Sequence, residues 1–135
     1  MKTMIKEIKS SRGNIKEIEK LLLSVNDEFK LPEEQFNNLM IAVTELLLNA
    51  IVHGNKLDEK KIVKFAVGYD DKTMKIKIID EGNGFDFSKI SDPTVDENLL
   101  KTSGRGMFIV KSLVDDFDYK KTDEGFEINL TIKKK

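Results

Sequence analysis

The sequence contains no cysteine, one histidine and two prolines in 135 residues. Without cysteine there is no disulfide, no thiolate-held zinc, no iron–sulfur cluster and no cysteine nucleophile. A single histidine, His53, leaves no room for a histidine-rich metal site. A surplus of one charge is missing too, since Lys+Arg is 23 against Asp+Glu 24, a net charge of −1. Neither nucleic acid nor an anionic membrane is expected as a partner of such a balanced chain. The one basic run, Lys133-Lys134-Lys135, reads as a solvated terminus. No unbroken apolar run approaches the roughly 20 residues that span a bilayer. The opening stretch Met1-Lys2-Thr3-Met4-Ile5-Lys6 lacks the apolar core of a signal peptide. The expected location is therefore cytoplasmic.

What is present is the composition of one charged, soluble domain over residues 1–135, with 39% hydrophobic and 35% charged residues. Residues 3–9 read as a strand, broken by Ser10, Ser11 and Gly13. From Asn14, the spacing of Ile15, Ile18, Leu21, Leu22 and Val25 predicts an amphipathic helix. Pro32 with Glu33 and Glu34 opens a second helix, which runs to about His53 and stops at Gly54-Asn55. Ile62–Val67 and Met74–Ile79 form a hairpin about Asp70-Asp71-Lys72. Residues 87–103, which contain Pro93, read as an irregular connection, and Gly106–Phe117 as a third helix. A last hairpin, Asp118–Lys121 and Phe126–Ile132, turns at Asp123-Glu124-Gly125. Hairpins separated by helices predict an α/β two-layer sandwich, a mixed, mostly antiparallel sheet with helices on one face.

Three segments carry candidate chemistry. On the second helix Phe36, Leu39, Val43, Leu46, Leu47 and Ala50 share one broad apolar face. Glu45, Asn49 and His53 follow one another at intervals of one turn on a polar stripe, with Ile41, Leu48 and Val52 as apolar shoulders. A stripe that narrow fits a pocket wall as well as a solvated face. A carboxylate can act as a general base, and an amide oxygen can hold a hard cation such as Mg²⁺. Asp80 ends an apolar strand and is followed by Gly82 and Gly84. That is either a simple turn or a strand-end carboxylate beside a backbone that a flat ring can approach. Ser103-Gly104-Arg105-Gly106-Met107 stands just before the third helix, where free N–H groups and the helix dipole suit phosphate. The loop is neither a Walker A motif nor a dinucleotide fingerprint.

Taken in order, T-E-L-L-L-N-A-I-V-H-G-N, D-E-G-N-G-F-D and S-G-R-G-M-F-I-V resemble the N, G1 and G2 boxes of the GHKL ATPases. Within that superfamily the chain most resembles the stand-alone anti-sigma-factor serine/threonine kinases. The resemblance implies the Bergerat ATP-binding fold, with ATP between the helices and a lid at about residues 87–103. It implies Asn49 as the Mg²⁺ ligand, Glu45 as the general base and Asp80 as the adenine-binding carboxylate. Gly82, Gly84 and Phe85 belong to the base pocket, and His53 follows in the N box. Thr102, Ser103, Gly104, Arg105, Gly106 and Met107 form the phosphate-side loop. ATP and Mg²⁺ are the implied cofactors. The implied partners are a small antagonist protein phosphorylated on Ser or Thr, a sequestered sigma factor and a second copy in a homodimer. One stretch departs from the pattern: Gly125-Phe126-Glu127 stands where the family often has a G-T-T-like start to its last strand. The readings set against this one are a nucleotide-gated binding module without kinase activity and a small ATPase with no protein substrate. The catalytic half of a histidine kinase fits less well, because no other histidine is available as phosphoacceptor.

Overall fold

The computed structural model describes residues 1–82 and 114–135. The chain begins with β1 (Lys2–Lys9), passes a short 3-10 turn (Arg12–Asn14) and forms α1 (Ile15–Phe29) and α2 (Glu33–Leu48). A π-helical turn (Asn49–Gly54) continues α2. The hairpin β2 (Ile62–Tyr69) and β3 (Thr73–Asp80) follows, and β4 (Asp116–Thr122) and β5 (Gly125–Lys133) close the sheet. The strand order is β1-β2-β3-β5-β4. Every pairing among these strands is antiparallel, so the expected mixed sheet is antiparallel throughout the described residues.

The core lies on one face of that sheet. Val63, Phe65, Val67 and Tyr69 of β2 point into it, as do Met74, Ile76 and Ile78 of β3 and Phe126, Ile128, Leu130 and Ile132 of β5. Strict alternation does this, because successive strand residues face opposite sides. Ile18, Leu22, Val25 and Phe29 of α1 and Leu39, Val43, Leu46 and Leu47 of α2 complete the core. Each such side chain, fully buried, stabilises the fold by about 1.5–3 kcal/mol before entropy is counted. The helix Glu33–Gly54 is long and apolar enough by composition to cross a membrane, a feature that the search for unbroken apolar runs passes over. Here its apolar face is packed against the sheet.

Local chemistry sets the element ends. Lys30 closes α1 in the left-handed region (φ 59) with its N–H donating to Asn26 O, and Asn26 Oδ1 accepts from Leu31 N at 2.9 Å. Pro32 caps α2, and Glu33 and Glu34 lie in its first turn, where the helix dipole favours them. Asp70 Oδ1 accepts from Lys72 N at 3.0 Å and Thr73 N at 2.8 Å, which fixes the β2–β3 turn. Those two backbone donors hold the Asp70 carboxyl below its ordinary value.

One expected boundary is corrected. The third helix was expected to reach Phe117, but Asp116 and Phe117 already belong to β4, where Phe117 stands opposite Leu130. Phe117 and Tyr119 alternate along the strand, with ring centroids 6.0 Å apart, and cross-strand pairing prevails over the helical spacing that Phe117 also satisfies. The rest of that helix and the expected lid at residues 87–103 lie outside the described residues.

Candidate functional site

α2 delivers the first group of candidates. Its α-helical hydrogen bonding ends at Asn49, whose N–H is shared between Glu45 O and Leu46 O. From Asn49 to Gly54 the turn widens to a π-helix, a rare form found mostly as single turns at functional sites. Asn49 is buried, Glu45 is half-buried and His53 is exposed. Glu45 and Asn49 keep the one-turn spacing expected of them. His53, within the π turn, is exposed.

β3 delivers the second group. Asp80 ends the strand and is only 4% exposed. Its Oδ1 accepts a hydrogen bond from Gly82 N at 2.8 Å. Burial pushes the Asp80 carboxyl above its ordinary value, while the Gly82 N–H, Lys121 and Lys61 pull the other way. A buried carboxylate with a raised pKa at a strand end is a functional-site signature, because an unpaired charge there costs stability.

The two groups meet at a set of close approaches. A Cβ on Gly54, the last residue of the π turn, would fall 2.5 Å from Asp80 Cγ. A Cβ on Gly82 would fall 2.0 Å from the Gly54 carbonyl oxygen. Gly125, at φ +146, lies so close to the Asp80 carbonyl that a Cβ would come within 1.8 Å of its oxygen. Backbone therefore packs closely on Asp80, Gly54 against its side chain and Gly125 against its carbonyl. Lys121 of β4 adds a bond from Nζ to Gly82 O at 2.8 Å.

The structure thus brings together Asp80, Gly82 and Gly54, the last residue of the turn that follows Glu45 and Asn49 on the same helix. Gly84, Phe85, Thr102, Ser103, Gly104, Arg105, Gly106 and Met107 lie outside the described residues. Gly54, Asn55, Lys121 and Gly125 were missed as site residues. Gly54-Asn55 carried only a helix-stop signal and Gly125 only a turn signal. Gly125 stands at the departure from the G-T-T-like pattern, and its contribution is backbone closeness to Asp80 rather than a side chain. Among the glycines of the described residues, we expect Gly125→Ala to be the most disruptive. It adds both a backbone clash and a φ that only glycine adopts readily, costing on the order of 3 kcal/mol or more, read as a fall in the urea midpoint.

Among the described residues no three His, Cys, Asp or Glu side chains cluster as a metal site. Mg²⁺ does not need such a cage, since it keeps waters and binds one or two protein oxygens together with substrate phosphates. A buried amide at Asn49 and a half-buried carboxylate at Glu45 supply hard oxygen donors of that kind. Gly54, Gly82 and Gly125 permit the close backbone packing about Asp80, because a side chain at any of them would clash with Asp80 or Gly54. A separate groove of about 710 Å³, bordered by Lys64, Lys75, Lys77 and Asn129, lies on the uncovered face of the sheet, away from Asp80.

Residues 8–132 match the model of the histidine kinase-like ATPase domain. The chain is 32% identical over 105 residues to a serine-protein kinase RsbW of Staphylococcus aureus, covering 73% of this chain and 65% of that protein. It is 29% identical over 89 residues to the serine-protein kinase RsbW of Oceanobacillus iheyensis, covering 62% of this chain and 56% of that protein. The chain therefore spans a little over half to about two thirds of these relatives. The structure of the RsbU and RsbW domains of Rv1364c from Mycobacterium tuberculosis superposes with a TM-score of 0.69 at 14% identity, over 99% of this chain and 33% of that one. The histidine kinase domain of a blue-light-activated histidine kinase from Erythrobacter litoralis does so with a TM-score of 0.56 at 20% identity, over 75% of this chain and 45% of that one. At those identities the likeness is one of fold.

Proposed function

This chain belongs to the histidine kinase-like ATPase family, and we propose that it is an ATP-dependent serine/threonine protein kinase. Its substrate is a small antagonist protein, and it sequesters a sigma factor. The observation that carries the reading is the junction at Gly54, where the helix bearing Glu45 and Asn49 ends against the buried carboxylate of Asp80. The relatives named serine-protein kinase support the choice of hydroxyl acceptor.

In this reading Asp80 accepts a hydrogen bond from the exocyclic amine of adenine. Asn49 would hold Mg²⁺ through its amide oxygen, and the bound ion would supply neutralisation of phosphate charge. Glu45 orients the incoming seryl hydroxyl and takes its proton as the oxygen bonds to the γ-phosphorus and the bond to ADP breaks. The family resemblance assigns Gly84 and Phe85 to the base and Thr102–Met107 to the phosphates, and His53 lies exposed in the π turn. A cytoplasmic location and a homodimer belong to the same reading.

The test is a pulldown from the lysate of the source organism, with and without Mg·ATP, followed by phosphosite mapping. Recovery of a small protein carrying a new phosphoserine or phosphothreonine is the expected result. Nucleotide-dependent capture without phosphate transfer would favour the binding-module reading. ATP turnover with no phosphorylated protein would favour an ATPase.

A further inference from the structure

Asn55 follows the π turn and is 0% exposed. Its side chain spends every polar atom on a different strand end. Oδ1 accepts from Glu81 N at 2.7 Å, just past β3. Nδ2 donates to Ser10 Oγ at 2.8 Å, just past β1, and to Ile62 O at 3.2 Å, at the start of β2. Ser10 Oγ in turn donates to Lys61 O at 2.7 Å. The chain then bends sharply, with Lys56 (φ 53) and Leu57 (φ 60) both in the left-handed region and Leu57 N bonded to Ile51 O at 2.8 Å. Two consecutive non-glycine residues in that region are costly, and surrounding contacts must hold them there.

The peptide between Asp80 and Glu81 is where this matters. Its N–H is held by Asn55 Oδ1, and its carbonyl lies under Gly125, which permits no Cβ. Gly54, the neighbour of Asn55, lies against the Asp80 carboxyl group. Two consecutive residues at the end of the Glu45–Asn49 helix thus fix both the peptide plane and the side-chain wall of Asp80. We infer that Asn55 is a positioning residue for base recognition. It locks the strand-end carboxylate Asp80 in register with the helix that carries Glu45 and Asn49. This rests on the proposed role of Asp80, and acts through Glu81 N–H without touching the nucleotide.

The test compares Asn55→Ala with Ser10→Ala by ATP and GTP titration calorimetry, with thermal melting on the same samples. Ser10→Ala removes a buried hydrogen-bonding group from the same network but leaves the Asn55–Glu81 bond. Both variants are expected to melt lower. Only Asn55→Ala is expected to lose roughly tenfold or more of the preference for ATP over GTP, because small misplacements of a recognition group are costly. Asn55→Ser, which keeps a polar group in the space, serves in its place should Asn55→Ala not fold. If the Asn55 variant keeps the wild-type preference while Asp80→Asn loses it, the positioning role is overturned and the adenine site stands. If Ser10→Ala loses the preference equally, Asn55 is only one member of a structural network and the inference is again overturned. A wild-type protein without ATP preference, or an Asp80→Asn variant that retains it, overturns the adenine site and the inference together.

Discussion

Glu45→Gln is expected to abolish phosphoryl transfer while leaving Mg·ATP affinity close to that of the wild type. Glu45 lies one helical turn before the buried Asn49, on the last regular turn of α2. Binding in this account rests on Asp80 and the metal, neither of which requires the Glu45 charge. Transfer requires a group that orients a hydroxyl and removes its proton, and general-base assistance contributes about 10²–10⁴-fold. Glutamine keeps the shape and the half-buried position, so the fold should survive. Single-turnover phosphorylation at saturating ATP, with affinity measured on the same preparation, separates the cases. A wild-type rate would remove the catalytic role. Loss of rate and of binding together would make Glu45 a pocket-shaping residue.

Asp80→Asn is expected to weaken ATP binding and at the same time raise the stability of the nucleotide-free protein. The two effects share one cause. In the free protein the carboxylate is buried against backbone, and burial raises its pKa above the ordinary carboxylate range, with the Gly82 N–H, Lys121 and Lys61 offsetting part of that. A raised carboxyl pKa means that folding favours the protonated form. Its contribution to stability is therefore fully present below the unfolded pKa and is lost as pH rises through the folded one. The penalty is in force wherever the pH lies above the folded pKa. Asparagine retains an oxygen for the Gly82 N–H and removes the charge. The variant should melt above the wild type at pH 7, and the difference should shrink as the pH falls through the Asp80 titration. Against this, a charge-assisted bond to the adenine amine is worth about 1.5–3 kcal/mol, so ATP affinity should fall roughly 10- to 150-fold and the preference over GTP should erode. A folded variant with unchanged ATP affinity would place adenine elsewhere. A lower melting temperature at neutral pH would mean that the charge is structurally compensated.

Local periodicity carried much of this architecture. The β2–β3 hairpin was readable because Val63, Phe65 and Val67 alternate and Asp70 supplies its own turn chemistry. α2 was readable because Leu39, Val43, Leu46 and Leu47 recur at helical spacing and Pro32 marks the start. The β4 boundary was not, because Phe117 satisfies a helical period and a strand period equally, and only its pairing with Leu130 decides between them. Within the site, Asp80 and Gly82 were legible as a motif. Gly125, Asn55 and Lys121 were not, since each acts across the fold: Gly125 on the Asp80 carbonyl, Asn55 on the Glu81 amide and Lys121 on the Gly82 carbonyl. Such roles have no local pattern. The π turn was also invisible, because a helix that widens at Asn49 and one that continues regularly share the same apolar face.

A nucleotide is expected to bind where the end of the Glu45–Asn49 helix meets the end of β3. Titration of the ¹⁵N-labelled protein with Mg·ATP, followed by amide NMR, tests that claim most directly. The largest shifts are expected at Gly54, Asn55, Glu81 and Gly82, with smaller ones at Lys121 and Gly125, and GTP at equal concentration should produce weaker changes at the same amides. Shifts confined to Lys64, Lys75 and Lys77 on the uncovered face of the sheet, or no shifts at saturating Mg·ATP, would contradict it.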